Sequence, residues 1–396
     1  MKQWPRPHVP IQPVLSLRAF LTFNHTKMSS ILDAGELEYV TSGRVAIARA
    51  LQYFNIKTND KVLIPAYHCN SMVEPVVWLN AVPVFYKIHG NAAVDLNDIA
   101  EKLVDGVRVL MVTHYFGFPQ NIDEIREFCD SHNLMLIEDC AHAFFGQYNG
   151  KALGTFGDFS IASIMKFYPV YDGGCLGINT KINEHRKIVN SGLAFQIKAI
   201  LNSLEYAFEY NRLKLLKYTL GYLLQLKDFV WSRIKASKKS SSKSSIGPAS
   251  AEGGYLFESS WVNKGASWIS RLTVRATNVG RLIDNRRKNY LCYQEAFKNI
   301  SGAKPLFPDL LPGVVPYVYP LVMDDPSEIF PILKSQGVPI IRFGEFLWDG
   351  VDASVCSVSH DLSKRVFQFP CHQDLEQREI NWIIEKVKTA LDEHGK

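Results

Sequence analysis

The first half of the chain alternates short apolar runs with amphipathic segments, and this alternation limits the folds open to it. Apolar runs cover 61–65, 82–86, 107–112 and 134–138, and segments with helical periodicity cover 45–53, 71–79 and 122–131. Continuous apolar strands joined through helices are typical of a parallel sheet that is covered on both faces. The pattern predicts an α/β domain with a mainly parallel sheet.

The alternation ends after Gly177, and we predict three parts. A large domain covers 1–197, a helical insert with a Lys/Ser-rich linker covers 198–260, and a smaller α+β domain covers 261–396. In the last part we expect a helical stretch over 268–297, a strand from Val315, a helix over 327–336, a strand over 338–343 and a final helix over 375–391.

Composition excludes several classes of protein. With 396 residues, 47% of them hydrophobic, the chain can bury a large core. The net charge is only +5, and many Lys and Arg lie between Lys187 and Lys243, so a general nucleic-acid surface is not indicated. The seven cysteines lack zinc spacing and predict reduced thiols in the cytoplasm. We expect no transmembrane helix, and no metal is predicted.

An aspartate and then a lysine follow the predicted strand at 134–138. Asp139 comes directly after that run, and Lys166 precedes the pair Gly173-Gly174. In α/β sheets, ligands bind beyond the carboxyl ends of the strands. A lysine that forms a Schiff base with an aldehyde, and an aspartate that pairs with a protonated ring nitrogen, are what a pyridoxal phosphate (PLP) site needs.

A phosphate site is predicted where Ser42, Gly43 and Arg44 open a helix, because backbone N–H groups and the helix dipole attract anions there. The alternative is an ordinary helix N-cap. Ser160 or Ser163, which precede Lys166, is a second candidate phosphate ligand, and the sequence does not choose between them.

Two interpretations stay open for each of four further side chains. Glu138 is either a solvated carboxylate or a metal ligand, although no neighbouring His or carboxylate cluster supports a metal. His142 is either a structural imidazole or a hydrogen-bond partner of the cofactor's phenolic oxygen. His68 and Cys69 lie where a residue could stack on the pyridine ring, and a structural role stays open for both.

These segments resemble the nucleotide-sugar aminotransferases of the DegT type, PLP enzymes with the aspartate-aminotransferase fold. The motifs that carry the resemblance are Thr41-Ser42-Gly43-Arg44-Val45-Ala46, Val62-Leu63-Ile64-Pro65-Ala66-Tyr67, Val112 to Pro119, Ile137-Glu138-Asp139-Cys140-Ala141-His142-Ala143, Gly154 to Ser160, and Phe369 to Leu375. The resemblance implies a homodimer with PLP at the subunit interface, glutamate as amino donor and a keto sugar on a nucleotide carrier as acceptor.

The resemblance also assigns residues. Lys166 would hold PLP and move a proton, Asp139 would hold the ring nitrogen, and Gly43 with Arg44 would hold the phosphate. Three segments depart from the family pattern. Ser163 to Lys166 is not Ser-Phe-x-x-x-Lys, His68-Cys69 replaces the stacking aromatic residue, and Ser267 to Arg271 replaces Asn-x-Arg.

The sequence leaves more than one interpretation open for the insert and for the activity. Lysines interleaved with Leu and Tyr over 198–243 form either an amphipathic helix on an anionic membrane, at the inner membrane face, or a helix that covers the core or dimer interface. Besides transamination, the sequence leaves open other PLP chemistry on a sugar nucleotide and a catalytically silent scaffold. Lys166 argues against a dehydratase in which histidine replaces the lysine.

Overall fold

A seven-stranded sheet forms the centre of the large domain in this computed structural model, which describes residues 4–20, 28–219 and 257–394. Its strands are β1 (Glu36–Val40), β2 (Lys61–Pro65), β3 (Val82–Tyr86), β4 (Val107–Thr113), β5 (Met135–Asp139), β8 (Phe159–Ser163) and β9 (Gly174–Ile178). A short hairpin, β6 (Gln147–Tyr148) and β7 (Lys151–Ala152), precedes β8.

The strand order is β1-β9-β8-β5-β4-β2-β3, and neighbours from β3 to β8 pair in parallel. β9 runs antiparallel to both β8 and β1. The predicted α/β domain with a mainly parallel sheet is therefore confirmed. The sheet brings the carboxyl ends of β4, β5 and β8 to one edge.

Helices cover the sheet on both faces. They are α1 (Gly43–Tyr53), α2 (Asn70–Trp78), α3 (Leu96–Glu101), α4 (Ile122–Ser131) and α5 (Leu193–Glu209). Successive strand residues enter different cores: Ile137 and Ile161 pack with α1, whereas Leu136 and Ala162 pack on the other face. Because both faces are buried, the strands contain continuous apolar runs.

The C-terminal part contains its own antiparallel sheet, in the order β10-β11-β13-β12. Its elements are α6 (Trp268–Ala276), α7 (Val279–Phe297), β10 (Ala303–Pro305), β11 (Val318–Met323), α8 (Pro326–Ser335), β12 (Ile341–Arg342), α9 (Ser357–Arg365), β13 (Val366–Pro370) and α10 (Gln377–His394). This is an α+β arrangement, as the sequence predicts.

Some element predictions need correction. The helical stretch over 268–297 is two helices, because Thr277 is extended and the Asn278 side chain caps α7 by accepting from Arg281 N at 2.9 Å. The strand expected over 338–343 has only two paired residues, Ile341 and Arg342. The sequence prediction also lacks several elements, which are β1, α3, β6, β7, β8, β9, β10, α9 and β13.

The predicted insert lies only partly within the described residues. α5 begins at Leu193, before the predicted boundary at 198, and the interleaved Lys and Leu positions from 220 to 243 lie outside the residues that the structure describes. Within the described ranges, no helix has the length and apolarity needed to cross a bilayer.

Candidate active site

Asp139 and Lys166 lie at the edge of the sheet where β4, β5 and β8 end. Asp139 is the last residue of β5, and Lys166 belongs to the 3-10 turn Ile164–Lys166 that follows β8. The two side chains are close enough for each to shift the pKa of the other. The sheet therefore brings together the acid and the amine that the sequence singles out.

The Asp139 carboxylate is buried and has one weakly occupied oxygen. Oδ1 accepts from Ala141 N at 2.8 Å, whereas Oδ2 has only a long contact of 3.5 Å with Thr113 Oγ1. Burial raises the pKa of Asp139, and the Ala141 hydrogen bond and the positive charge of Lys166 oppose that rise. Oδ2 is therefore suited to accept from a protonated ring nitrogen.

The Lys166 amine faces an aromatic ring and makes no hydrogen bond within the described ranges. Nζ lies 5.4 Å from the centre of the Tyr317 ring. Burial lowers the pKa of Lys166, and the neighbouring Cys69 and Asp139 act in the opposite direction. A lowered pKa increases the fraction of neutral amine, which is the form that attacks an aldehyde.

His142 is held between two aromatic rings in the same pocket. Its ring stacks on Tyr317 at 4.8 Å and on Phe116 at 5.5 Å, with interplanar angles of 15° and 14°. Burial is the main cause that lowers its pKa well below the ordinary value, so the ring is neutral. Nδ1 accepts from Phe116 N at 3.4 Å, which places the proton on Nε2 and makes that nitrogen a donor.

The N-terminus of α1 lies against the glycine pair. Ser42 is the N-cap of α1, and its Oγ accepts from Val45 N at 3.3 Å. A Cβ on Gly174 would lie 2.2 Å from the Ser42 carbonyl carbon, so only glycine permits this approach. Gly173 has a φ of +124°, which confirms the predicted positive φ for one member of the pair.

The two candidate serines lie in different surroundings. Ser163 pairs with Gly174, beside Ser42 and the start of α1. Ser160 pairs with Gly177 deeper in the sheet, is fully buried, and its Oγ has no hydrogen-bond partner among the described residues. Only Ser163 lies at the edge of the sheet next to the predicted phosphate site.

Arg44 is engaged by a carboxylate. Its Nη1 lies 3.0 Å from Glu74 Oε2, and both side chains are about one-tenth exposed, at 10% and 9%. Burial raises the pKa of Glu74, and Arg44 opposes that rise. The guanidinium therefore fixes α2 against α1, which leaves the N–H groups of α1 as the anion-binding feature at this end.

His68 has a structural environment, whereas Cys69 lies by the pocket. His68 Nδ1 donates to the carbonyls of Pro65 and Ala66 at 3.1 and 3.0 Å, and Nε2 accepts from Trp348 N at 3.0 Å. Burial lowers the pKa of His68 to about 4. Cys69 Sγ lies 3.2 Å from Ser71 Oγ, and Cys69 is close enough to Lys166 to oppose the lowering of the pKa of that amine.

Glu138 is neither solvated nor free for a metal, which corrects both predicted interpretations. Its carboxylate is fully buried and accepts from three backbone N–H groups at 2.6 to 2.9 Å, those of Gly154, Phe156 and Gly157. His114 Nε2 donates to Glu138 Oε2 at 3.1 Å.

The fold does bring together three potential metal ligands, His114, Glu138 and Cys140, whose donor atoms lie within 4.8 Å of one another. No spacing in the sequence indicates this cluster. His114 Nδ1 already accepts from Gln120 N at 3.0 Å while Nε2 carries the proton donated to Glu138. Neither ring nitrogen keeps a lone pair for a cation, so the cluster is a hydrogen-bond network.

A comparison with known proteins bears on this resemblance. The model of the DegT/DnrJ/EryC1/StrS aminotransferase family matches residues 27–186, which confirms the resemblance over that segment.

Two curated relatives illustrate the match. The chain is 33% identical over 160 residues to GDP-perosamine synthase of Vibrio cholerae, which covers 40% of this chain and 44% of the relative. It is 35% identical over 149 residues to a putative L-glutamine:3-amino-2,3-dideoxy-scyllo-inosose aminotransferase of Micromonospora echinospora, which covers 37% and 36%. The match thus spans less than half the length of these relatives.

Solved structures extend the likeness to the whole fold. The putative sugar aminotransferase Spr1654 of Streptococcus pneumoniae, in its apo-form, aligns with a TM-score of 0.67 at 14% identity over 98% of both chains. Its PLP-form aligns with a TM-score of 0.66 at 14% identity, over 97% of this chain and 99% of that one. Helicobacter pylori PseC gives 0.63 at 16% identity, over 99% and 100%. The fold is thus that of the PLP aminotransferases of this family, as predicted.

Proposed function

We propose that the chain is a PLP-dependent aminotransferase that acts on a keto sugar carried by a nucleotide, with glutamate as the amino donor. The observation that carries the proposal is the proximity of the buried Asp139 and the partly buried Lys166 at the carboxyl edge of the sheet, within the segment that the family model matches. The printed names of the curated relatives, which include GDP-perosamine synthase, support a sugar nucleotide as substrate class.

The residues present fit the cofactor. Bound PLP would supply an electron sink for carbanion chemistry next to its aldehyde carbon. Lys166 would hold the aldehyde and carry the proton between cofactor and substrate, because its pKa is lowered and its amine makes no hydrogen bond within the described ranges. Asp139 Oδ2 would accept from the ring nitrogen, and His142 Nε2 would donate to the phenolic oxygen.

The phosphate would bind at the start of α1. Gly43 N–H points from the helix N-terminus, and Ser163 lies beside it at the end of β8. Arg44 would act indirectly, because its guanidinium is paired with Glu74. Cys69, which borders the pocket, would cover the ring in place of the family's aromatic residue, whereas His68 would support the loop.

The active form would be a homodimer. Four apolar side chains on α5 and α6 are exposed and lie in two i, i+4 pairs, and we call them the α5–α6 patch: Leu193, Ile197, Trp268 and Leu272. The two helices adjoin, and Trp268 N donates to Gln196 Oε1 at 2.9 Å. A second copy of the chain is the occupant that we propose, because α6 begins beside the pocket.

For the cellular compartment and for the division of the chain into three parts, we propose what the sequence predicts. Seven unpaired cysteines fit the reducing cytoplasm. We propose 1–197 as the cofactor-binding part, 261–396 as the part that closes the pocket, and 198–260 as an insert that covers the core or dimer interface. The alternative is that the insert binds the inner membrane face. Vesicle co-sedimentation of the intact chain and of a version lacking the insert distinguishes these two roles.

Spectroscopy and mass spectrometry on the purified chain test the proposed function. We expect added PLP to give an absorbance band near the visible edge that glutamate shifts, and borohydride reduction to fix the pyridoxyl group on Lys166. Lys166→Ala should abolish both signals, whereas Lys151→Ala, which removes a lysine that lies over Phe156, should leave them unchanged. A colourless protein, or a label on another side chain, would refute the proposal and favour a silent scaffold.

A nucleotide-linked keto sugar then tests the acceptor. With glutamate present, the wild-type chain should convert it to the amino sugar, detected as a change in product mass, and Lys166→Ala should not. A chain that binds PLP and reacts with glutamate but aminates no nucleotide-linked keto sugar would contradict the acceptor class alone.

A further inference from the structure

Arg286 on α7 is a completely buried arginine that forms no ion pair with any carboxylate of the described residues. Burial lowers its pKa from 12.5 to about 10. A buried charge without a counterion is costly, so such a residue is retained where its hydrogen bonds serve a purpose.

The guanidinium holds two separate pieces of backbone. Nη2 donates to the carbonyl of Lys166 at 2.8 Å. Nη1 donates to the carbonyls of Pro316 and Tyr317 at 3.2 and 3.1 Å. Nε donates to Gln373 Oε1 at 2.9 Å. One planar group therefore joins the turn that carries the pocket lysine to the segment before β11.

Gln373 completes the contact on the lysine side. Its Nε2 donates to the carbonyl of Phe167 at 2.9 Å. The guanidinium of Arg286 also lies 4.4 Å above the Phe167 ring. The two consecutive carbonyls of Lys166 and Phe167 are thus held by side chains from the C-terminal part of the chain.

These contacts fix the two side chains that meet in the pocket. Lys166 lies in a 3-10 turn outside the sheet, so no ladder hydrogen bond holds its carbonyl. Tyr317 precedes β11, and its ring is 5.4 Å from Lys166 Nζ and stacks on His142. Arg286 therefore donates to the backbone carbonyls of both residues whose side chains meet here, Lys166 and Tyr317.

We propose that Arg286, together with Gln373, is a positioning residue that sets the place of the Lys166 amine in the pocket. The inference rests on the proposed function, because it concerns the attachment of PLP to that amine. Arg286 touches neither reacting atoms nor cofactor, and it acts through the main chain of Lys166 and Tyr317.

The chain offers a matched pair of variants. Arg286→Lys keeps the charge, but a single ammonium cannot reach three carbonyls and an amide oxygen in one plane. Arg281→Lys is the control, since Arg281 also lies on α7 and donates to Gln373 O at 3.1 Å and to Asp374 Oδ1 at 3.2 Å. The contacts of Arg281 bind α7 to the same loop without touching Lys166 or Tyr317.

The first measurement is the rate at which PLP becomes covalently attached to Lys166, followed by absorbance and by mass spectrometry after borohydride reduction. We expect Arg286→Lys to slow attachment by about tenfold or more, because misplaced reacting groups lose such factors. Arg281→Lys should react at the wild-type rate. Equal rates for the two folded variants would overturn the inference.

The second measurement uses the protein without PLP, and so separates this inference from the proposed function. The pH dependence of Lys166 acylation, read by mass spectrometry, gives the pKa of the amine. In Arg286→Lys that pKa should rise towards the ordinary 10.5, because the amine is no longer held in its buried place. An unchanged pKa would contradict positioning, whereas failure of the wild type to bind PLP would count only against the proposed function.

A third variant covers the case in which Arg286→Lys does not fold. Gln373→Glu keeps an acceptor for Arg286 Nε, supplies a counterion, and removes the donor to the Phe167 carbonyl. Attachment to Lys166 should be several-fold slower than in Arg281→Lys. A rate equal to that of the control would overturn the inference without the arginine variant.

Discussion

Glu138 and Asp139 are neighbours in sequence, yet they have opposite tasks. Asp139 faces the pocket with one weakly occupied oxygen, whereas Glu138 is saturated by three backbone N–H groups and one imidazole. Successive residues of a strand point to opposite faces, so the order of the two acids decides which of them meets the ligand. Exchange of the two side chains would remove both the acceptor in the pocket and the buried partner of the three backbone N–H groups.

Glu138→Gln should reduce the free energy of unfolding by about 2–4 kcal/mol, because an amide NH2 would face N–H donors that the carboxylate now satisfies. The loop at Gly154 to Gly157 would lose its anchor on β5. Chemical denaturation measures the change, and Glu127→Gln, an exposed glutamate on the nearby α4, is the control. Equal stability of the two variants would show that Glu138 is not a buried anchor.

Asp139→Asn should lower the pKa of Lys166 further. The carboxylate now raises that pKa against the effect of burial, so its removal leaves burial without this opposing charge. The midpoint of Lys166 acylation, followed by mass spectrometry against pH in the protein without PLP, should move to lower pH than in the wild type. Asp105→Asn, on an exposed loop, should leave the midpoint in place. A shift to higher pH would contradict the proximity of the two groups.

The sequence singles out Asp139 and Lys166, but it does not indicate the distant residues that hydrogen-bond to the backbone beside Lys166. A strand end and a glycine pair are local signals, and both lie within a few residues of the side chains concerned. Arg286 contacts a carbonyl 120 residues away, and Gln373 contacts one 206 residues away. Such contacts form only when the two parts of the chain pack, so no local pattern indicates them.

At the scale of elements, the glycine pair joins β9 to α1. Gly174 lies in a strand and touches the N-cap Ser42, while Gly173 N donates to the Thr41 carbonyl at 3.0 Å. Asp172, just before the pair, accepts from Ser267 N at 2.8 Å and from two serine hydroxyls at the start of α6. One short turn therefore fixes two helix N-termini against the sheet.

Gly174→Ala should destabilise the protein by roughly 1–3 kcal/mol, because the new Cβ meets backbone atoms that cannot move independently. It should also weaken PLP binding, since the start of α1 must shift away from Ser163. Denaturant unfolding and a PLP titration measure the two effects. Gly90→Ala, where a Cβ meets nothing within 4 Å, should change neither. Normal PLP affinity in Gly174→Ala would exclude the start of α1 from the site.

Element prediction from sequence succeeded where an apolar run is uninterrupted, as in β2 and β3, or where helical periodicity is regular, as in α4. The bounds of β2, β3 and α4 agree with the predicted 61–65, 82–86 and 122–131. β8 and β9 were not predicted, because serines and glycines interrupt their apolar runs for the sake of close contacts with neighbouring strands. The break before α7 was missed, since it depends on a single cap at Asn278.

At the scale of the whole molecule, the α5–α6 patch is an apolar surface of the described residues that a second copy would cover. Leu193 is 75% exposed and Leu272 is 50% exposed, on helices that adjoin each other and the turn that carries Asp172. Scattered exposed apolar residues are normal, but two i, i+4 pairs on adjoining helices form one surface. Its burial in a second copy would bring that copy next to the pocket.

Leu272→Glu should therefore weaken self-association by about tenfold or more, because it places a charge in the centre of the proposed interface. Leu291→Glu is a close control: Leu291 is 48% exposed on α7 and outside the patch. Analytical ultracentrifugation over a range of concentrations should show a dimer for the wild type and Leu291→Glu, and a shift to monomer for Leu272→Glu. A wild-type chain that stays monomeric, or a Leu272→Glu variant that stays dimeric, would move the interface elsewhere on the molecule.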